Sequence, residues 1–227
     1  GTTPMLDIQA PGCLVANLGF NGASSTGGGI RLRDDGTDPA TTYAAWGTTI
    51  ADCHFKNCKA HATNGAAGGA IYTAAAGGAW QTRIIGNRFY KCVGGIIIPS
   101  TSASVPQDWV IEDNVFGNSV NTETDVDIYV GGSGMLGLVI RNNDFQSVDG
   151  NAGTSGTVQL YIKLLTGTYG ILAGNRFACK ANESDTPLTF GAGACTGAII
   201  PTTVRMAGNF GEAGAGGTSE SGEIYRT

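Results

Sequence analysis

Short apolar runs recur along this chain, each closed by a polar or glycine turn and then a phenylalanine. They read RIIGNRFYKC at 83–92, WVIEDNVFGNS at 109–119, LVIRNNDFQS at 138–147 and GILAGNRFAC at 170–179. The runs are short and rich in β-branched residues, and glycine interrupts every longer window that could hold a helix, so they predict strands. Aligned on the aromatic ring, the copies end at Phe20, Phe55, Phe89, Phe116, Phe145, Phe177 and Phe210, about 32 residues apart on average. Five positions before the ring stand Val15, Ile50, Ile84, Ile111, Ile140 and Leu172. Two before it stand Leu18, Cys53, Asn87, Asn114, Asn143 and Asn175. The last copy, VRMAGNF, is one residue short between Asn209 and Phe210.

A second strand follows each phrase after a variable gap: GGIRLRD (28–34), GAIYT (69–73), GGIIIPS (94–100), DVDIYVG (125–131) and TVQLYIK (157–163). Weaker candidates are PLTF (187–190) and GEIYR (222–226). A fixed period of strand units predicts a solenoid, in which each unit is one turn and like strands stack into parallel sheets about 4.8 Å apart. Phe then stacks on Phe inside. Asn87, Asn114, Asn143 and Asn175 form an internal ladder at sharp bends, where asparagine tolerates left-handed angles and bonds its own copy one turn away. The expected fold is all-β, a right-handed, single-stranded parallel β-helix of about seven rungs. A β-sandwich is the competing architecture, but it gives no reason for Asn and Phe to recur in fixed register.

Composition narrows the classes. The chain has 227 residues and is read as one domain over 1–227. Glycine is unusually frequent at 37 residues but has no G-X-Y period, which excludes collagen. Only 14% of residues are charged, with 13 Lys+Arg against 18 Asp+Glu. With no basic run in the sequence and a net charge of −5, no nucleic-acid partner is expected. No apolar run approaches a membrane span, so no membrane insertion is expected. The six cysteines include no CxxC pair and read mainly as small buried apolar residues.

The pattern I-x-G/D/N-N-x-F followed by G-G-I-x-I resembles the right-handed parallel β-helix of the pectin-lyase-like superfamily. The opening PMLDIQAPGCLVANLGFNG…GGIRL is similar to the first rungs of bacteriophage tail-spike and tail-fibre β-helices. The resemblance implies a fold, and it implies an activity only loosely, because polysaccharide lyases, hydrolases and non-catalytic members share that fold. Such members carry a helical amino-terminal cap, and phage spikes a trimerising tail. Neither is evident here, which suggests a fragment or a subunit capped by its neighbours.

The outward positions of the second strand carry the candidate chemistry. If Val126, Ile128 and Val130 point inward, Asp127 and Tyr129 point out. If Val158, Leu160 and Ile162 point inward, Gln159, Tyr161 and Lys163 point out. Tyr72 extends the Tyr129–Tyr161 column, with Ile97 interrupting it. Flat rings beside Asp, Gln and Lys suit a sugar chain, with Asp127 as the candidate catalytic carboxylate. Glycosidic hydrolysis needs a second carboxylate roughly 5–9 Å away. The same residues equally suit an ordinary exposed sheet. Asp34, Asp35 and Asp38 form an acidic loop that offers acids, a calcium site or plain solvation. Cys53, His54, Cys58 and His61 are zinc-ligand types, yet their registers favour a stacked thiol pair at Cys58 and Cys92. Glu112 with Arg141, and Asp144 with Arg176, should pair across rungs as surface ion bridges. No metal site and no cofactor is expected.

The expectation is a tail-spike-type β-helix that recognises a cell-surface polysaccharide, with or without cleaving it. It would be a homotrimer or associate with other virion subunits, and be located on a virion or outside the cell. The alternatives are a non-enzymatic structural virion protein and a free polysaccharide lyase.

Overall fold

The computed structural model describes residues 4–22, 28–33, 45–58, 68–73, 79–92, 94–99, 106–117, 126–131, 134–146, 160–165, 167–178, 189–190, 196–212 and 222–224. Among these there is no helix. The chain coils through three parallel sheets, visiting them in the same order on every turn. Sheet A stacks Leu6–Ile8, Ile30–Leu32, Ile71–Thr73, Ile96–Ile98, Val126–Val130, Leu160–Leu164 and Thr196–Ile199, with Thr189–Phe190 at its edge. Sheet B stacks Leu14–Ala16, Thr49–Ala51, Arg83–Ile85, Val110–Glu112, Leu138–Arg141, Gly170–Ala173 and Val204–Ala207. Sheet C stacks Gly19–Asn21, His54–Lys56, Arg88–Tyr90, Val115–Gly117, Asp144–Gln146, Arg176–Ala178 and Asn209–Glu212. Gly222–Ile224 then runs antiparallel to Asn209–Glu212 and covers that edge of sheet C, one way a sheet avoids open-edge pairing. The solenoid has about four turns rather than the expected seven or so.

The repeating phrase is the B-to-C corner. Its phenylalanines form one inward column from Phe20 to Phe177, with neighbouring ring centroids 4.6–5.0 Å apart and planes within 8° of parallel. Each such contact adds about 0.5–1.5 kcal/mol beyond the burial of its area. Beside them run the asparagines. The backbone N–H and the Nδ2 of Asn87 both donate to Oδ1 of Asn114, at 2.9 and 3.0 Å, and the same Nδ2 donates to the carbonyl of Ile50 on the turn before. Asn114, Asn143 and Asn175 repeat the arrangement, and Asn209 closes it by accepting from Asn175. The ladder therefore has five members rather than four, and Cys53 leads into it by donating its N–H to Asn87 Oδ1.

The backbone gives a different reason for the corner than the sequence suggests. The left-handed residue is the one before the ladder: Asn17, Asp52, Gly86, Asp113, Asn142, Gly174 and Gly208 all have φ between 52° and 68°. The ladder asparagines themselves need no such angle. They are selected for their amides alone. The paired glycines that open the second strand serve close approach. A Cβ on Gly28 would come within 2.4 Å of the Tyr72 ring, and one on Gly95 within 2.9 Å of the Phe116 ring. The short last copy shows how register decides burial. With one residue missing after Asn209, Gly211 pairs with Phe177 and Phe210 turns outward, 53% exposed.

Candidate functional site

The outward column of sheet A reads Asp7, Arg31, Tyr72, Ile97, Tyr129 and Lys163, each in register with the next. Tyr72, Ile97 and Tyr129 form an apolar cluster of their own, separate from the inner core, and Tyr129 is only 4% exposed. Lys163 is half-buried and places its Nζ 5.8 Å from the centre of the Tyr129 ring. At the other end, Arg31 and Arg33 share the carboxylate of Asp7 at 2.8 and 2.9 Å. The hydrogen bond from Arg31 holds Asp7 far below the usual carboxylate range against the opposing effect of burial, and bonds from Arg33 and Gln9 add to it.

The expected register of Tyr161 is corrected here. Tyr161 does not share the register of Tyr129. Val126 pairs with Leu160 and Ile128 with Ile162, so Tyr161 stands opposite Asp127, and Tyr129 stands opposite Lys163. The Tyr161 ring lies in the core, tilted against Phe145 and Phe177 at 5.8 and 5.9 Å. Strict in–out alternation fails at this register, the one where a Cβ on Gly95 would also meet the inward Phe116 ring. Asp127 occupies the same register one turn earlier and is buried. Gln159 lies outside the described residues. Asp127, Tyr129, Tyr161 and Tyr72 thus form no solvent-facing platform together.

Four other carboxylates, those of Glu112, Asp144, Asp52 and Asp108, have structural work. Glu112 pairs with Arg141 at 2.7 Å and Asp144 with Arg176 at 3.0 Å, both across adjacent turns. A carboxylate oxygen of Asp52 leans over Gly86, and one of Asp108 over Gly137. Cys13, Cys53, Cys58 and Cys92 are free thiols. Cys92 donates to the Phe55 carbonyl, and both its bond with Cys58 and its burial push its thiol well up. Among the described residues no three His, Cys, Asp or Glu side chains gather as metal ligands. His61 and the Asp34, Asp35 and Asp38 loop lie outside those residues. No helix among them is long and apolar enough to cross a membrane.

Two exposed rings stand instead at the A-to-B corner. Backbone bonds link Gly12 N–H to Trp46 O, Gly47 N–H to Trp80 O, Gln81 N–H to Gln107 O, Asp108 N–H to Leu136 O and Leu138 N–H to Tyr169 O, at 2.7–3.0 Å. These bonds place Trp46, Trp80, Gln107, Leu136 and Tyr169 in one column, a side chain per turn. Trp46 is 45% exposed and Tyr169 is 52% exposed. The Trp46 indole N–H donates to Gln81 Oε1 at 2.7 Å, which fixes the ring's orientation. On sheet B alongside, Leu14 and Ile171 are exposed, and Val110 and Val139 are half-buried. Sequence reasoning missed this column because its members share no motif.

Comparison with family models, with curated proteins and with solved structures gives no match to this chain.

Proposed function

We propose that this chain is a polysaccharide-recognising β-solenoid of the tail-spike kind, acting on a virion or outside the cell. The observation that carries the reading is the column Trp46, Trp80, Gln107, Leu136 and Tyr169, in which Trp46, Leu136 and Tyr169 are exposed and Trp80 and Gln107 half-buried. An extended glycan offers alternating apolar C–H faces and hydroxyl rims along its length. A line of flat rings and aliphatic side chains with an amide in its middle complements both, and rigid aromatics give contact area at low entropic cost. The inner ladders hold the column straight, so the ligand meets a preorganised surface. Recognition without cleavage is favoured by the ion-paired and turn-bound carboxylates described above, because hydrolysis needs two carboxyl groups free to face one bond.

The test is glycan binding by the full chain and by the double variant Trp46→Ala/Tyr169→Ala. Binding should weaken at least tenfold, about 1.4 kcal/mol, while the melting temperature stays nearly constant. Undiminished binding by the variant would remove this column from consideration. Failure of the intact protein to bind any glycan would favour a purely structural role. Oligosaccharide release by the wild type would add cleavage to recognition.

A further inference from the structure

Sheet C carries a second outer site, formed where two adjacent turns meet. His54 is in register with Arg88, and Lys56 with Tyr90. Positions two apart on a strand share a face, so all four side chains lie together on the outside. Tyr90 is 43% exposed. The ammonium of Lys56 lies 5.8 Å from the centre of its ring and that of Lys91 lies 5.6 Å from it. One ring therefore carries two cations, with a guanidinium and an imidazole in the neighbouring column.

Elsewhere on the coil, arginines meet carboxylates across turns, as in Arg141 with Glu112, Arg176 with Asp144, and Arg31 and Arg33 with Asp7. For His54, Lys56 and Arg88 the registers offer no such partner among the described residues. The turn before supplies Gly19 and Asn21, and the turn after supplies Val115 and Gly117. The nearest acid along the strand is Asp52, at the corner, with its carboxylate leaning over Gly86. From His54 to Gln107 the sequence contains no Asp or Glu, yet it holds Lys56, Lys59, Arg83, Arg88 and Lys91, in a chain of net charge −5. The absence of a basic run in the sequence is thus not the absence of a basic patch, because coiling brings residues 34 positions apart into contact.

We infer that the Tyr90 patch binds the anionic groups of an acidic polysaccharide, with a sugar face against the ring and its carboxylate or sulfate between the cations. The inference rests on the polysaccharide reading and narrows it to a charged chain. The patch spans only two turns and is bounded above by Asp113 and Asp144, which suits a polymer with widely spaced charges. Duplex nucleic acid carries a charge about every 1.7 Å and would run onto those acids.

The experiment measures binding of the full chain to polygalacturonate, dextran sulfate and neutral dextran, and to an oligonucleotide. The wild type is compared with Lys56→Gln/Arg88→Gln, both exposed positions, with a melting curve to confirm folding. The expected result is binding to an acidic polysaccharide, with the polygalacturonate and dextran sulfate arms separating carboxylate from sulfate. Binding should weaken at least tenfold between low and moderate salt and at least fivefold in the variant. Polysaccharide binding that is indifferent to salt and to this variant, yet lost in Trp46→Ala/Tyr169→Ala, would overturn the inference and leave the proposed function standing. Preference for the oligonucleotide would overturn it in favour of nucleic acid. Binding to none of the polysaccharides would overturn both.

Discussion

The inside and the outside of this coil obey different rules. Inside, the same residue returns from turn to turn over most of the coil: five asparagines bonded amide to amide, and six phenylalanines stacked nearly parallel. Outside, each column changes its residue from turn to turn, as in Arg31, Tyr72, Ile97, Tyr129 and Lys163, or His54, Arg88, Val115, Asp144 and Arg176. The difference follows from what each position touches. An inward side chain meets its own copy one turn away, and identical shapes stack without gaps. An outward side chain meets solvent or a ligand and is under no pressure to repeat. Stability is therefore concentrated in the repeating columns and recognition in the varying ones.

The largest test of that division is Phe116→Ala, set beside Tyr90→Ala one turn away. Phe116 is fully buried, stacked between Phe89 and Phe145 at 4.6 and 4.9 Å. Its loss should cost about 3–5 kcal/mol through lost burial and the cavity left in the column. Tyr90, exposed on the same sheet, should cost about 0.5 kcal/mol or less. Chemical denaturation measures both, and equal costs would break the distinction between the two faces.

Asn114→Leu follows. The leucine fills similar space but leaves the Asn87 N–H and Nδ2 without their acceptor and the Ile84 carbonyl without its donor. Orphaned buried groups of this kind cost about 1–3 kcal/mol each before relaxation, so a loss of about 3 kcal/mol is expected. An unchanged unfolding midpoint would mean that the amides contribute nothing beyond filling volume.

What could be read from the sequence follows the same line. The solenoid, the phenylalanine column and the asparagine ladder were legible because their period is written in the residues themselves. Asn209 belongs to the ladder although its copy is short, because the deletion lies after the asparagine and spares it. The Glu112–Arg141 and Asp144–Arg176 pairs were legible because they keep the repeat's register. Tyr161 breaks the in–out alternation that the sequence implies, because its register within the strand faces the core. The Trp46–Tyr169 column and the Tyr90 patch join residues with no common motif. Only the acid-free stretch from 54 to 107 hinted at the second of these, and charge segregation shows its meaning once the turns are stacked.

A smaller effect than either core substitution lies at the end of sheet A's outer column. Asp7 accepts bonds from Arg31 Nε and Nη2 and from Arg33 Nε at 2.8–3.0 Å, and all three side chains are about three-quarters buried. Its carboxyl is held below its ordinary range, chiefly by Arg31. A carboxylate depressed in the folded state stabilises that state above its unfolded pKa, near 4, because the unfolded chain then takes up protons first as the pH falls. The contribution is complete at neutral pH and drains away below about pH 4. Asp7→Asn should therefore lower stability by about 1 kcal/mol at pH 7, and wild type and variant should converge towards pH 2. Melting temperatures at the two pH values measure it. A deficit that persists unchanged at pH 2 would show that Asp7 acts by packing and neutral hydrogen bonding, in which case this outer position follows the rule of the inside.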